Sequence, residues 1–371
     1  MEEKKIGIIT FQFAHNFGAA LQCWALQEAL SSICNDVTVI NYRPEYHLKQ
    51  YSVFPLENLK KTGFKGIAKE LASAIYHFPE RICRKSSFDK FSGLLNLTES
   101  FENGDDVFNY ISNNYDLIVC GSDQIWNYNL TEGDFDPVYF AYSNKYDGKR
   151  IGYSISVGDA NLENKLKILR EYTAGLTSIS VREEKTCREL TTLLNRNIDS
   201  TPDPTLLIDK RTYEKIAVLP KVDNYILVYL LDENQLIKQL VKEYCKKGNY
   251  TVIDISPSKI VNLNGVQHVK GIGPTEFLGY INKADYIMTN SFHGTLFSIL
   301  FNKQFVSLTH QKRGERIVNL LNNFSLTERM LSSEHEIESL MKNTITYDDV
   351  NVKIEEIKEQ GMSYLIEMIN K

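Results

Sequence analysis

The sequence predicts an α/β protein built from two doubly wound domains that face each other across a cleft. Short runs of buried-type residues alternate with helical segments along the whole chain, which is the pattern of parallel sheets covered by helices. A segment with two prolines in three residues, at 201–205, divides this series in two. A chain of 371 residues is long enough for two domains of ordinary size.

The first domain is predicted to cover residues 1–203. It opens with a strand at 5–10, a helix at 19–32 and a strand at 37–41, and further strands are predicted at 115–120, 150–156 and 178–182. Residues 46–106 are predicted to form a helical insertion with basic and aromatic side chains. Such an insertion either covers a ligand, touches a membrane surface, or is an ordinary solvated helical face, which is the commonest of the three.

The second domain is predicted to cover residues 204–349. Its predicted strands lie at 225–231, 251–255, 286–288 and 304–308, with helices at 233–246, 274–283 and 315–321. Residues 350–371 read as a final amphipathic helix, which is expected to pack back on the first domain.

The composition excludes several classes of function. With a net charge of −5 and a pI of about 5.9, the chain lacks the broad basic face that nucleic acid requires. Its six cysteines are scattered without a CxxC pair, so neither a zinc site nor a disulfide framework is predicted. No stretch reaches the roughly 18 apolar residues of a membrane span, and no export signal is recognisable. We expect a cytoplasmic protein without a metal.

The most informative stretch lies at 285–297 and reads DYIMTNSFHGTLF. A short apolar run ends in helix-capping residues, and apolar residues then recur at helical spacing. In a doubly wound sheet such a turn lies at the carboxyl edge, where ligands bind and helix N–H groups favour an anion. Ser291, Phe292 and Gly294 are therefore candidate anion-binding residues, and His293 is a candidate acid–base residue. The alternative is that Ser291 only caps the helix and His293 only fills a polar edge.

A loop with polar residues follows the first strand of the first domain. Asn16 and Gln22 are candidates for hydrogen bonds to sugar hydroxyls, and Gly18 would let a ligand approach the backbone. The alternative is an ordinary capped helix. The loop lacks GxGxxG spacing, so the dinucleotide-binding fingerprint is absent.

A second loop, GSDQIWN at 121–127, follows the strand at 115–120. Asp123 is a candidate base, Gln124 offers an amide, and the indole of Trp126 offers an apolar face for a pyranose ring. The alternative is that the Ser-Asp pair is only a helix cap and that Trp126 belongs to the core.

Arginines follow two other predicted strands. Arg182 ends the strand at 178–182, where a guanidinium can clamp a phosphate or carboxylate, although pairing with a neighbouring glutamate is the commoner fate. Arg313 and Arg316 follow the strand at 304–308 and form a second basic group. No GxSxG, HExxH or P-loop motif is present, so the corresponding hydrolases, metalloproteases and P-loop enzymes lose support.

Four segments together resemble the polysaccharide pyruvyl transferase family: FAHNFGAALQCWALQ, IVCGSDQIWN, DPTLL and GPTEFLGYINKADYIMTNSFHGTLFSILF. The resemblance implies a GT-B-like fold with two Rossmann-like domains. It also implies transfer of pyruvate from phosphoenolpyruvate to two sugar hydroxyls as a cyclic ketal. The implied acceptors are sugars of bacterial surface polysaccharides, such as exopolysaccharide or capsule, or their lipid-linked precursors at the inner face of the membrane.

The resemblance assigns roles to two residues. His293 matches the histidine of the family's SFHGT block, as proton donor or as phosphate ligand, and Arg182 matches a donor-binding arginine. Asp123 would take the proton of the attacking hydroxyl, and no cofactor is expected besides phosphoenolpyruvate as substrate. Two alternatives stay open: a GT-B glycosyltransferase that uses a nucleotide sugar, and a non-catalytic carbohydrate-binding subunit of a polysaccharide assembly.

Overall fold

A computed structural model describes residues 4–50, 64–247, 251–257, 263–308, 314–333, 336, 339–340 and 343–371. The chain divides into two compact units. The N-terminal unit comprises Met1–Ile208 and Ile357–Lys371, and the C-terminal unit comprises Asp209–Glu356.

The N-terminal unit is built on a seven-stranded sheet in the order β3-β2-β1-β4-β5-β6-β7, in which every neighbouring pair is parallel. Its strands are Lys5–Ile9 (β1), Asp36–Tyr42 (β2), Leu97–Phe101 (β3), Leu117–Cys120 (β4), Lys149–Ile155 (β5), Ser178–Val181 (β6) and Asp199–Ser200 (β7). Its helices are Phe17–Ser31 (α1), Glu45–Gln50 (α2), Phe64–Ser92 (α3), Gly104–Asn114 (α4), Leu166–Thr173 (α5) and Glu184–Leu194 (α6).

The helix α1 is buried on almost every side. Its sequence FGAALQCWALQEALS places small and apolar residues all round the helix, which is typical of a helix inside a core rather than on a surface. Asn16 starts it, since its side chain accepts from the backbone N of Ala19 at 3.2 Å. The first βα unit of the sheet is therefore rigidly held.

The sequence predicts a helical insertion at residues 46–106, but the described part of this segment is not only helical. They contain α2 and α3, but they also supply β3, which pairs with β2 at the edge of the sheet. The strand was missed because LTESF carries few apolar residues and is largely exposed, so it has no hydrophobic period.

The C-terminal unit has a five-stranded parallel sheet in the order β10-β9-β8-β11-β12. Its strands are Tyr225–Tyr229 (β8), Thr251–Asp254 (β9), Val266–His268 (β10), Tyr286–Thr289 (β11) and Gln304–Ser307 (β12). Its helices are Lys210–Ile216 (α7), Gln235–Lys247 (α8), Pro274–Lys283 (α9), Phe292–Leu300 (α10) and Gly314–Asn323 (α11), followed by Asp348–Asn370 (α12), whose last part belongs to the N-terminal unit.

The strand orders fix where each sheet can hold a ligand. In the N-terminal sheet the chain order reverses between β1 and β4, and in the C-terminal sheet it reverses between β8 and β11. At such a switch point the connecting loops leave in opposite directions and open a crevice at the carboxyl ends of the strands. The loops after β1, β4 and β11 are therefore the places to look for a site.

Among the described residues, no helix is both long enough and apolar enough to cross a membrane. The five cysteine side chains that the structure describes are free thiols.

Candidate active site

The turn between β11 and α10 is fixed by its own hydroxyl groups. The Thr289 hydroxyl donates to the backbone oxygen of Tyr229 (2.7 Å) and accepts from the backbone N of Ser291 (3.0 Å). Ser291 is buried and caps α10, because its Oγ accepts from the backbone N of Gly294 at 3.3 Å. The Ser291 side chain therefore serves the helix, and the turn offers a ligand the positive end of the α10 dipole.

Gly294, a candidate anion-binding residue, has no open space where its side chain would be. A Cβ atom at this position would lie 2.4 Å from Thr289 Oγ1 and 3.1 Å from Tyr229 Cδ1. The space beside Gly294 is thus filled by the ends of β8 and β11, not left for a ligand. The glycine is needed so that α10 can start close to the sheet.

His293 and Arg316 both lie close to the ring of Phe292. His293 is half-buried in the first turn of α10, with its ring 5.1 Å from the Phe292 ring in an edge-on contact. The guanidinium of Arg316, on α11, lies 6.0 Å from the centre of the Phe292 ring. The structure therefore gathers Phe292, His293 and Arg316 at the start of α10. Arg313, predicted for the same group, lies outside the described residues.

The loop after β4 places Asp123 and Gln124 at the carboxyl edge of the N-terminal sheet. Asp123 is half-buried with φ at 74°, and its backbone oxygen accepts from Ser156 N at 2.9 Å. Gln124 Oε1 accepts from the Asn127 amide at 3.0 Å, and Asn127 also donates to Asp159. These contacts fix the orientation of the Gln124 amide, and no protein group in the described part of the chain takes its Nε2 donors.

Trp126 does not form a platform for a sugar ring. Its indole is 0% exposed, stacks on Phe140 with ring centres 4.6 Å apart, and donates through Nε1 to the backbone oxygen of Tyr139 at 3.2 Å. A ring enclosed on both faces cannot stack on a ligand. The alternative of a core tryptophan is the one that the structure shows.

Of the three residues predicted in and after the loop that follows β1, the structure leaves one accessible and encloses two. Asn16 is exposed and caps α1, whereas Gly18 and Gln22 are buried in that helix. Gln22 donates to Thr10 Oγ1 at 3.0 Å, and the Thr10 hydroxyl donates to the backbone oxygen of Ser122 at 2.9 Å. Gln22 therefore ties the end of β1 to the loop after β4 and cannot reach a sugar.

Arg182 is enclosed by carboxylates. Its Nη1 lies 2.6 Å from Asp203 Oδ2 and its Nε lies 3.3 Å from Glu183 Oε1, and only 5% of its side chain is exposed. Burial alone would lower the pKa of Arg182, but Glu183, Asp203 and Asp123 together hold it above its ordinary value. The guanidinium charge is thus compensated within the unit, and a role for Arg182 in holding an anionic donor stays a prediction.

His15, which lies beside Asn16, was not among the residues predicted from the sequence. Its ring stacks on Phe88 at 5.1 Å, and its backbone oxygen accepts from Arg84, whose guanidinium lies 5.4 Å from the centre of the Phe17 ring. Burial, together with the charge of Arg84, lowers the pKa of His15 to about 4, so the imidazole is neutral at neutral pH. The alternating aromatic residues of FQFAHNF are the sequence pattern that could have indicated a histidine packed among aromatic rings.

No metal centre is assembled by the described side chains, since they contain no group of three or more His, Cys, Asp or Glu residues arranged around one point.

Comparisons with known proteins place the chain in a context. The family model "Polysaccharide pyruvyl transferase" matches residues 16–312. Curated protein sequences gave no match.

Among solved structures, the chain is similar to the S. aureus MnaA–UDP structure, with 11% identity and a TM-score of 0.52 over 99% of this chain and 98% of that one. It is also similar to UDP-GlcNAc 2-epimerase from Neisseria meningitidis, with 10% identity and a TM-score of 0.51 over 99% of both chains. Likeness at such low identity concerns the fold alone. It confirms the predicted class of two doubly wound, parallel-sheet α/β domains of the GT-B-like type.

Proposed function

Because the chain belongs to the polysaccharide pyruvyl transferase family, we propose that it transfers pyruvate from phosphoenolpyruvate to two hydroxyls of a sugar, as a cyclic ketal. The proposed acceptor is a sugar of a bacterial surface polysaccharide or of its lipid-linked precursor. The proposed location is the cytoplasm, with peripheral contact to the inner face of the membrane when the acceptor is lipid-linked. The reaction uses phosphoenolpyruvate as a substrate and needs no further cofactor.

The donor would bind at the start of α10. Phosphoenolpyruvate carries a phosphate and a carboxylate, so its site must concentrate positive charge in a chain of net charge −5. The first turn of α10 contributes its dipole, His293 an imidazole, and Arg316 a guanidinium that lies against Phe292. The position of Arg316 beside the His293 turn is the observation that carries this proposal.

His293 is the proposed general acid. Proton transfer from His293 to C3 of the enol would leave C2 electron-poor, and one sugar hydroxyl would add to C2 while its proton passes to a base. The second hydroxyl would then attack C2 as the bond from C2 to the phosphate oxygen breaks, and its proton would leave with the departing phosphate. This step closes the ketal and releases hydrogen phosphate. A positioned acid of this kind contributes about 10²–10⁴-fold to the rate.

In the N-terminal unit, we propose as acceptor contacts only those predicted residues that the structure leaves accessible. Gln124 presents an amide whose orientation is already fixed, and Asn16 is exposed at the start of α1. Asp123 stays the proposed base, since it is half-buried at the same edge. Trp126 and Gln22 are excluded by their burial.

A thermal-shift experiment on the whole chain tests the donor. Phosphoenolpyruvate at about 100 times its Kd should stabilise the protein by about 2.7 kcal/mol, whereas UDP-glucose should have no effect. The variant Arg316→Met should lose most of the shift, and the control Arg188→Met, which removes an exposed arginine of the N-terminal unit, should keep it. A shift with UDP-glucose and none with phosphoenolpyruvate would overturn the proposal in favour of a glycosyltransferase.

Phosphate release then tests the role of His293. With phosphoenolpyruvate and a mixture of sugar acceptors, His293→Ala should release phosphate about 10²–10⁴-fold more slowly while its affinity for the donor changes little. If only donor affinity falls, His293 is a phosphate ligand and another group is the acid. Normal turnover would remove His293 from the mechanism.

A further inference from the structure

The C-terminal unit holds a second histidine at the carboxyl edge of its sheet. His268 ends β10, Asp254 ends the neighbouring strand β9, and His268 Nδ1 lies 3.1 Å from Asp254 Oδ2. The Asp254 side chain is 1% exposed and that of His268 is 18% exposed. A buried carboxylate thus stands behind an imidazole that reaches the surface.

The surroundings of Asp254 determine which nitrogen of His268 carries the proton. Asp254 Oδ1 accepts from the backbone N of Ser256 at 2.9 Å, so Oδ2 is the oxygen that meets the imidazole. An ionised carboxylate only accepts hydrogen bonds, and therefore Nδ1 must donate. In the neutral ring Nε2 is then an acceptor, and no hydrogen-bonding group of the described residues takes it.

A chain of hydrogen bonds connects this pair to the turn that carries His293. The Ser256 Oγ accepts from the backbone N of Leu230 at 2.9 Å, and the next backbone N, that of Leu231, donates to Asn290 Oδ1 at 2.8 Å. Asn290 directly precedes the cap of α10. The ends of β10, β9, β8 and β11 are therefore held together as one edge.

The distance along this edge indicates what His268 would touch. Strands are spaced about 4.8 Å apart, so β10 and β11 are separated by about 14 Å. Phosphoenolpyruvate bound at the start of α10 is too small to span that distance, whereas a donor with a hexose beside it is long enough. The buried negative charge of Asp254 disfavours an anion, and an acceptor nitrogen calls for a ligand that donates.

We propose that Asp254 and His268 form a hydroxyl-binding subsite for a hexose, in which His268 Nε2 accepts from a sugar hydroxyl and Asp254 positions the ring. The position of this hexose beside bound phosphoenolpyruvate rests on the proposed function. The pairing itself and its preference for a hydroxyl donor do not.

The first test is the tautomer of His268 in the full-length protein, read from the ¹⁵N chemical shifts of the ring. The neutral ring should carry its proton on Nδ1. In Asp254→Asn the new amide keeps an oxygen for Ser256 N and donates to Nδ1, so the proton should move to Nε2. A wild-type ring protonated on Nε2 would refute the arrangement. The enclosed His47, which is 3% exposed, gives an internal reference that should not change.

The second test is binding of methyl glycosides of glucose, galactose and mannose, followed by the His268 ring signals with phosphoenolpyruvate present. At least one glycoside should shift them. His268→Asn has no ring signal, so calorimetry compares its glycoside affinity with that of the wild type. The shorter amide can still donate to Asp254 but lacks Nε2, and affinity should fall about fivefold to tenfold as one hydrogen bond is lost. The tautomer switch of Asp254→Asn should weaken binding similarly, without the risk of an unpaired buried carboxylate.

The two proposals fail in different ways. If phosphoenolpyruvate stabilises the protein but no glycoside affects His268, the hydroxyl-binding subsite is wrong and the donor site stands. If a glycoside binds at His268 but phosphoenolpyruvate does not stabilise the protein, the subsite stands and pyruvyl transfer is wrong. Unchanged glycoside affinity in both variants also refutes the subsite.

Discussion

Replacing Arg182 by methionine should destabilise the N-terminal unit by about 3–5 kcal/mol. The arginine side chain is 5% exposed, and its two partners, Asp203 and Glu183, are 1% and 12% exposed. Methionine fills much of the same volume but carries no charge, so two carboxylates would stay enclosed without the cation that compensates them. The expected cost comes from that uncompensated charge, because little packing is lost.

Two further variants separate this effect from a general loss of arginine. Arg188→Met removes a cation whose side chain is 74% exposed and 3.7 Å from Glu184, and it should change stability by less than about 0.5 kcal/mol. Adding Asp203→Asn to Arg182→Met removes one of the two stranded charges while keeping an oxygen for Thr205. The destabilisation of the double variant should therefore be at least about 1 kcal/mol smaller than the summed destabilisations of Arg182→Met and Asp203→Asn.

Urea unfolding followed by tryptophan fluorescence is the appropriate assay. The chain has two tryptophans, Trp24 and Trp126, and both are buried in the N-terminal unit, so fluorescence follows that unit even if the two units unfold separately. If Arg182→Met comes within about 1 kcal/mol of Arg188→Met, the carboxylates do not depend on Arg182. That result would favour the predicted role of Arg182 in holding the donor.

Three other predictions concern the free energy of unfolding of further variants, measured in urea. Burial lowers the pKa of His47 to about 4, partly opposed by a hydrogen bond to the Leu130 backbone, so the unfolded chain binds a proton between pH 6.5 and 4 that the folded chain does not. Wild-type stability should therefore fall by about 2 kcal/mol more than that of His47→Phe between pH 7 and pH 5; equal losses would contradict this. Gly294→Ala should cost about 1–3 kcal/mol because Thr289 Oγ1 is held in place, and urea unfolding followed by circular dichroism should show no comparable loss for the exposed Gly93→Ala. Trp126→Ala should cost about 3–5 kcal/mol by circular dichroism, and a loss below 1 kcal/mol would mean that the ring is not a core element.

The sequence predicts the fold well where a strand is buried and a cap follows it. The stretch at 285–297 combines a continuous apolar run, capping residues and a helical period, and the structure places β11 and α10 there. The strands β3 and β10 were missed for a common reason. Both are edge strands with few buried residues, so pairing with a neighbour stabilises them and no hydrophobic pattern marks them.

The candidate site was harder to predict because local sequence does not reveal the direction of a side chain. Gln22, Trp126 and Gln124 all follow strands of the N-terminal sheet, and their residue types suit a sugar equally well. Only the packed structure shows that the first two are enclosed and that the third is accessible. Asp254 and His268 belong to different strands, and no spacing rule relates two residues that meet through sheet pairing.

The enclosed polar residues explain how the accessible ones are held in position. Gln22 binds the end of β1 to the loop that carries Gln124, and Asn290 binds the end of β8 to the turn that carries His293. Each uses buried hydrogen bonds to hold a loop in one conformation. A catalytic group contributes most to the rate when its geometry is fixed before the substrate arrives. Gln22, which the sequence suggests as a sugar ligand, thus contributes to the site by holding a loop instead. Substituting Asn290 should change the position of the His293 side chain, while the free energy of unfolding of the C-terminal unit should change little.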